Sequence, residues 1–138
     1  SSLANPRRLC VGLDAQRLVM LLAVLHRHGG VSLGGHDIFV NVAGGIRVMD
    51  SGADVAAAAA VLSSLFNKTF PRDTVCFGEV GLAGEIRPVH RGEERLKEAA
   101  KLGFKRALVP KNNKISREIP GLEIIPLLCV EDLVAWLE

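Results

Sequence analysis

Short β-branched runs alternate with longer apolar-periodic stretches along this chain, and glycine or proline marks most of the boundaries. That alternation constrains the fold more than any other feature, because a period of 2 and a period of 3.6 demand different backbones. Leu18, Leu21, Leu22 and Leu25 recur at i, i+3, i+4 and i+7, which predicts an amphipathic helix over residues 14–28. Asp14 suits its first turn, His26, Arg27 and His28 suit its C-terminal end, and Gly29-Gly30 stops it. Residues 37–42 and 46–48 read as strands, with Gly44-Gly45 as the turn or bulge between them. A second helix over 53–65 carries the small run Ala56 to Ala60, which lets a neighbouring element approach closely. Further strands are predicted at 74–78, 106–109 and 122–125, and further helices at 93–102 and 130–137. The pattern predicts an α+β domain, a mixed α/β sheet with packed helices.

The 138 residues allow one ordinary domain, and 49% apolar with 23% charged residues excludes disorder. Aromatic residues are only 4%, with no Tyr, so a base-stacking platform built on aromatic rows is excluded. No apolar run approaches the ~20 residues that cross a bilayer, and no basic-then-apolar leader opens the chain. The expectation is a cytoplasmic domain without a membrane partner. Because the chain opens on Ser1-Ser2, it is read as a piece of a longer protein. Cys10, Cys76 and Cys129 lie far apart in apolar runs and form no CxxC pair. They predict buried free thiols rather than a zinc site or a disulfide. His26 and His28 stand two apart on a helix and cannot share a metal, and His36 and His90 are isolated. No metal site is expected. No Gly-Lys-Ser/Thr occurs, so this stretch should not hydrolyse nucleotide by itself.

The segment from Gly78-Glu79-Val80-Gly81-Leu82-Ala83-Gly84 through Glu85-Ile86-Arg87-Pro88-Val89 resembles the Gly-Glu-Val-x-Leu-x-Gly-x-Val-x-Pro-Ile signature of Lon proteolytic domains. The resemblance continues through the helix near Glu93, Gly103-Phe104-Lys105 and Val109-Pro110. It implies a fold of the ribosomal protein S5 domain 2 type. Lon proteases use a serine activated by a partly desolvated lysine. In this chain the serine position falls on Gly52 and the lysine position on Glu93. Ser51 stands one residue early, a rotation of about 100° at a helix start, and is expected to be the helix N-cap. The resemblance therefore implies no catalytic residue here, a non-proteolytic domain. The alternative is an active Ser-Lys peptidase with a displaced dyad, Ser51 with Lys97 or another displaced lysine.

Asn5-Pro6-Arg7-Arg8, Arg17-Leu18, Leu21 to Gly30 and Phe39-Val40-Asn41-Val42 with Gly44-Gly45 narrow the resemblance. Together with Phe77 to Val89 they resemble the C-terminal Lon-protease-like domain of the RadA (Sms) family of bacterial DNA repair proteins. Residues 1–8 would then lead in from an upstream ATPase domain not present here, and residues 9–138 would be the Lon-like domain. The resemblance implies a parent with a DNA-dependent ATPase core and a zinc finger. ATP, Mg and Zn would belong to those upstream parts, with no cofactor in this chain. It also implies a hexameric ring on DNA that acts in homologous recombination, branch migration and stalled-fork repair, with RecA as a further partner.

The formal charge of +2 hides an uneven distribution. Residues 1–50 hold five Arg against three Asp and no Lys, and residues 91–118 hold nine Lys or Arg against four Glu. Arginine presents a planar, permanently charged fork suited to phosphate oxygens. Arg8 and Arg17 are the first candidates for DNA-backbone contact, with Arg7, Arg27 and Arg47 next; the lysines of 97–111 read as ordinary solvated charges. The remaining reading is an oligomerisation scaffold with no DNA contact.

Overall fold

The computed structural model describes residues 8–11, 15–32, 38–41 and 51–138. Strand β1 (Arg8–Val11) leads into helix α1 (Ala15–His28) and then strand β2 (Ile38–Asn41). β1 and β2 pair in parallel, with Cys10 opposite Val40. A 3₁₀ turn (Ser51–Ala53) opens helix α2 (Asp54–Leu65). Strand β3 (Thr74–Cys76) follows, then an antiparallel hairpin of β4 (Glu79–Val80) and β5 (Ile86–Arg87). Helix α3 (Gly92–Lys101), strands β6 (Arg106–Pro110) and β7 (Glu123–Leu127), and helix α4 (Val130–Leu137) complete the order. β3, β6 and β7 form a parallel sheet in the order β3-β6-β7. Parallel and antiparallel pairs with packed helices make this an α+β architecture.

Period-2 alternation in β6 separates two apolar clusters. Leu108 points to one face, where α1, α2 and α4 contribute Leu18, Leu21, Leu25, Leu62 and Leu133. Ala107 and Val109 point to the other, where Leu96 of α3 packs with Phe77 and Leu122. Each fully buried leucine contributes on the order of 2 kcal/mol by area removed from water. The alanine run serves this packing: Ala57, Ala58 and Ala59 are buried, and α2 contacts both α1 and α4. The close approach that the small residues permit is thus made within the chain. Phe70 and Trp136 meet edge to face at 6.0 Å, joining the segment after α2 to α4.

Three expectations are corrected. The N-cap of α2 is Ala53 rather than Ser51, and no side chain caps the helix. The reason is a backbone cap from a distant segment: the Val55 N–H donates to the Gly78 carbonyl at 3.1 Å. A strand also stands where none was predicted, since β1 occupies Arg8–Val11. Both described thiols, Cys76 and Cys129, are half-buried rather than buried. Desolvation still pushes the Cys76 thiol up to about 12, and Cys129 occupies the N-cap of α4. There the Asp132 carboxylate accepts the N–H groups of Leu128 and Cys129 at 2.8 and 3.2 Å. Arg7, His36, Arg47, Asp14, Gly44-Gly45 and the 46–48 strand lie outside the described residues, as does the side chain of Cys10.

Candidate functional site

The glycine-rich hairpin gathers the elements that the Lon resemblance makes relevant. Gly81 and Gly84 form its turn, closed by the Gly84 N–H donating to the Gly81 carbonyl at 3.0 Å. At its base, Gly78 adopts a φ of 146°. A Cβ there would lie 2.8 Å from a Val55 methyl, 2.9 Å from an Ile86 methyl and 3.1 Å from the Pro110 ring. Only glycine permits α2, β5 and β6 to converge at this point.

Gly52 meets that junction directly, its carbonyl accepting the Gly78 N–H at 2.9 Å. Gly92, at the start of α3, approaches the neighbouring residue instead: a Cβ on it would be 3.6 Å from the Phe77 ring and would collide with the Asn113 amide. Asn113 in turn pairs with both backbone groups of Val89, at 3.0 and 2.9 Å. The two positions that the resemblance assigns to a dyad thus belong to segments seated on the Phe77-Gly78 pair. One of them has no side chain. The other, Glu93, accepts hydrogen bonds from the Ser116 hydroxyl at 2.7 Å and the Ser116 N–H at 3.3 Å. The hydroxyl bond chiefly holds its carboxyl below the ordinary range, so Glu93 is an anion at neutral pH. Lys97, one turn on, is exposed, the opposite of the dry setting that a lysine base needs.

The most buried ionisable group here is Asp54, with 1% of its side chain exposed. Arg17 donates from Nε to Oδ1 at 3.0 Å and pairs through Nη2 with Oδ2, which also accepts the Val80 N–H at 2.9 Å. The lock ties the beginnings of α1 and α2 to β4. Its partner was not foreseen, although a signal existed: an aspartate within an alanine and valine run cannot be buried as an anion unless it is paired.

The candidate DNA contacts divide accordingly. Arg17 retains 33% side-chain exposure but is held by Asp54. Arg27 is exposed on the last turn of α1. Arg8 lies in β1, and Arg7 and Arg47 lie outside the described residues. Between β3 and α3 opens a groove of about 640 Å³, where the Arg95 guanidinium stands 5.9 Å from the centre of the Phe77 ring. Among the described residues no group of three His, Cys, Asp or Glu could hold a metal, and no helix is long and apolar enough to cross a membrane.

Residues 17–113 match the family described as subunit ChlI of Mg-chelatase. The chain belongs to that family. The chain is also similar along nearly all of its length to RadA proteins. It is 52% identical to the DNA repair protein RadA of Haemophilus influenzae over 138 residues, which is all of this chain and 30% of that protein. Against RadA of Pseudomonas aeruginosa the figure is 55% over 131 residues, 95% of this chain and 29% of the relative. RadA of Aquifex aeolicus is 49% identical over 130 residues, again 94% of this chain and 29% of the relative. The chain spans about 30% of the length of these relatives and matches their C-terminal part. The resemblance to the C-terminal Lon-like domain of RadA proteins is thereby borne out.

Proposed function

We propose that this chain is the non-proteolytic Lon-like domain of a RadA-type DNA repair ATPase. In this reading it helps assemble the oligomer, six-membered by the resemblance, and adds DNA contacts that ignore sequence. The observation that carries the reading is the roughly half-identical match to RadA proteins along the whole chain. Gly52 and Glu93 at the dyad positions support its non-proteolytic side. The full-length protein would supply ATP, Mg and Zn sites from its other domains and act in the cytoplasm on recombination intermediates and stalled forks, with RecA as a partner.

Two experiments test it. A fluorophosphonate probe is expected to leave the protein unlabelled, and unfolded protein substrates are expected to survive incubation with it. Labelling at Ser51 that disappears together with peptide turnover in Ser51→Ala would establish the displaced dyad instead. DNA binding should be indifferent to sequence and fall with salt, because each neutralised phosphate releases counterions. In the full-length ring, Arg8→Ala combined with Arg27→Ala should weaken binding to all sequences alike. The salt slope should drop by about 1 for each phosphate that is no longer neutralised. Unchanged affinity and slope would leave the domain as a scaffold. Arg7 and Arg47 extend the same test; Arg17 serves it poorly, since its loss also leaves Asp54 unpaired.

A further inference from the structure

Helices α1, α2 and α4 end at one place. A pocket of about 240 Å³ opens there, lined by Gly30 and Val31 beyond α1, Leu65 and Phe66 at the end of α2, and Val134 and Glu138 at the end of α4. α2 contacts both of the other helices. The end of α1 also meets α4 closely, since a Cβ on Gly29 would lie 3.4 Å from a Val134 methyl. The three helices therefore point the same way, and their negative ends, each about half an elementary charge, face this pocket. Helix ends also leave backbone carbonyls without an intrahelical donor.

The cations nearest in sequence do not enter it. His26, Arg27 and His28 occupy the last turn of α1, yet none of them lines the pocket. The His26 ring meets the Val31 carbonyl through Nδ1 at 3.1 Å. His28 stands against the glycine hairpin, where a Cβ on Gly84 would come within 2.8 Å of the His28 Cβ. Among the described residues that line the pocket, Glu138 carries the one charged side chain, an exposed carboxylate. The lining is thus negative and complements a cation.

Its size and walls narrow the kind of cation. The volume falls below the roughly 300–1,000 Å³ of ordinary small-molecule pockets and suits one side chain. Val31 and Val134 are buried and Leu65 is half-buried, which provides apolar walls for an aliphatic stem. Phe66, also half-buried, adds a ring that attracts positive charge. Among the described residues no group of three His, Cys, Asp or Glu could hold a metal ion. A planar guanidinium can bond a carboxylate and carbonyls together and stack on a ring, which a compact ammonium does less well.

We propose that this pocket is a docking site for a partner protein, which inserts one arginine side chain between the ends of α1, α2 and α4. The pocket's lining includes neither Gly52 nor Glu93 and none of the candidate DNA contacts, so the proposal stands independently of the reading above.

The test follows the Val31 and Val134 methyl signals by NMR in full-length protein carrying methyl-labelled valine. Nα-acetyl-arginine amide should shift both signals in a saturable way. Nα-acetyl-citrulline amide, nearly the same shape without the charge, should bind at least tenfold more weakly. Glu138→Gln, at an exposed helix end, should preserve the melting temperature and weaken the arginine probe about threefold or more. Phe66→Leu should weaken it as well. Equal affinity for the arginine and citrulline probes overturns the proposal, because charge would then play no part. Equal affinity for Nα-acetyl-lysine amide, or saturation by potassium chloride at the same concentrations, overturns it in favour of a general cation site. A response unchanged in both variants, or no response to the arginine probe, removes the site altogether.

Discussion

Replacing Asp54 by alanine is expected to lower the unfolding free energy by about 3–4 kcal/mol. The change removes an acceptor serving two nitrogens of Arg17 and the buried N–H of Val80. The guanidinium, two-thirds covered, then lacks its counter-charge, and the Val80 amide lacks its acceptor. Arg17→Ala should cost a similar amount, since it leaves the nearly fully buried carboxylate unpaired. The pair Asp54→Ala with Arg17→Met should cost clearly less than the two single changes added together, because no uncompensated charge remains. Urea unfolding of the three variants checks this. Additive losses would mean that the two side chains stabilise the fold independently.

Gly78→Ala is expected to cost about 3 kcal/mol or to prevent folding, through overpacking on top of a backbone conformation that side chains rarely adopt. The methyl would arrive within 2.9 Å of both Val55 and Ile86, at a point fixed by hydrogen bonds to Gly52 and Val55. Gly103→Ala provides the control. Gly103 also has positive φ, at 93°, but nothing lies within 4 Å of the position of its Cβ. Its replacement should cost only the conformational term, about 1 kcal/mol. Equal losses at the two glycines in thermal unfolding would show that crowding at the Gly78 junction contributes nothing.

The helices with one apolar stripe were legible because their spacing is local. Leu18, Leu21, Leu22 and Leu25 are all buried in α1, and the histidines fall in its last turn as expected. The glycine hairpin was legible for the same reason, its turn residues standing beside the strands they join. The start of α2 was not. Its amide finds a carbonyl at Gly78, and no pattern near Ser51 encodes a cap delivered from the link between β3 and β4, 23 residues beyond Val55. β1 was missed because its partner, β2, lies beyond α1. In the site, the absences at Gly52 and Glu93 could be read from residue types alone. What holds those positions could not, since Ser116 lies 23 residues from Glu93 and Asp54 lies 37 from Arg17.

β6 is the wall that both apolar clusters share, with Leu108 facing one and Ala107 and Val109 the other. The layer carrying α3 rests on the smaller cluster and can open while the larger one stays closed. β6 has strands on both sides, so its amides are released to solvent only when β3 and β7 separate from it. Hydrogen exchange is therefore expected at two levels: partial opening that frees α3 and the loop beyond β6, and complete opening that frees Ala107, Leu108 and Val109. Among the described residues, the slowest amides are expected in the strand between the two clusters, where their exchange would measure the stability of the whole fold.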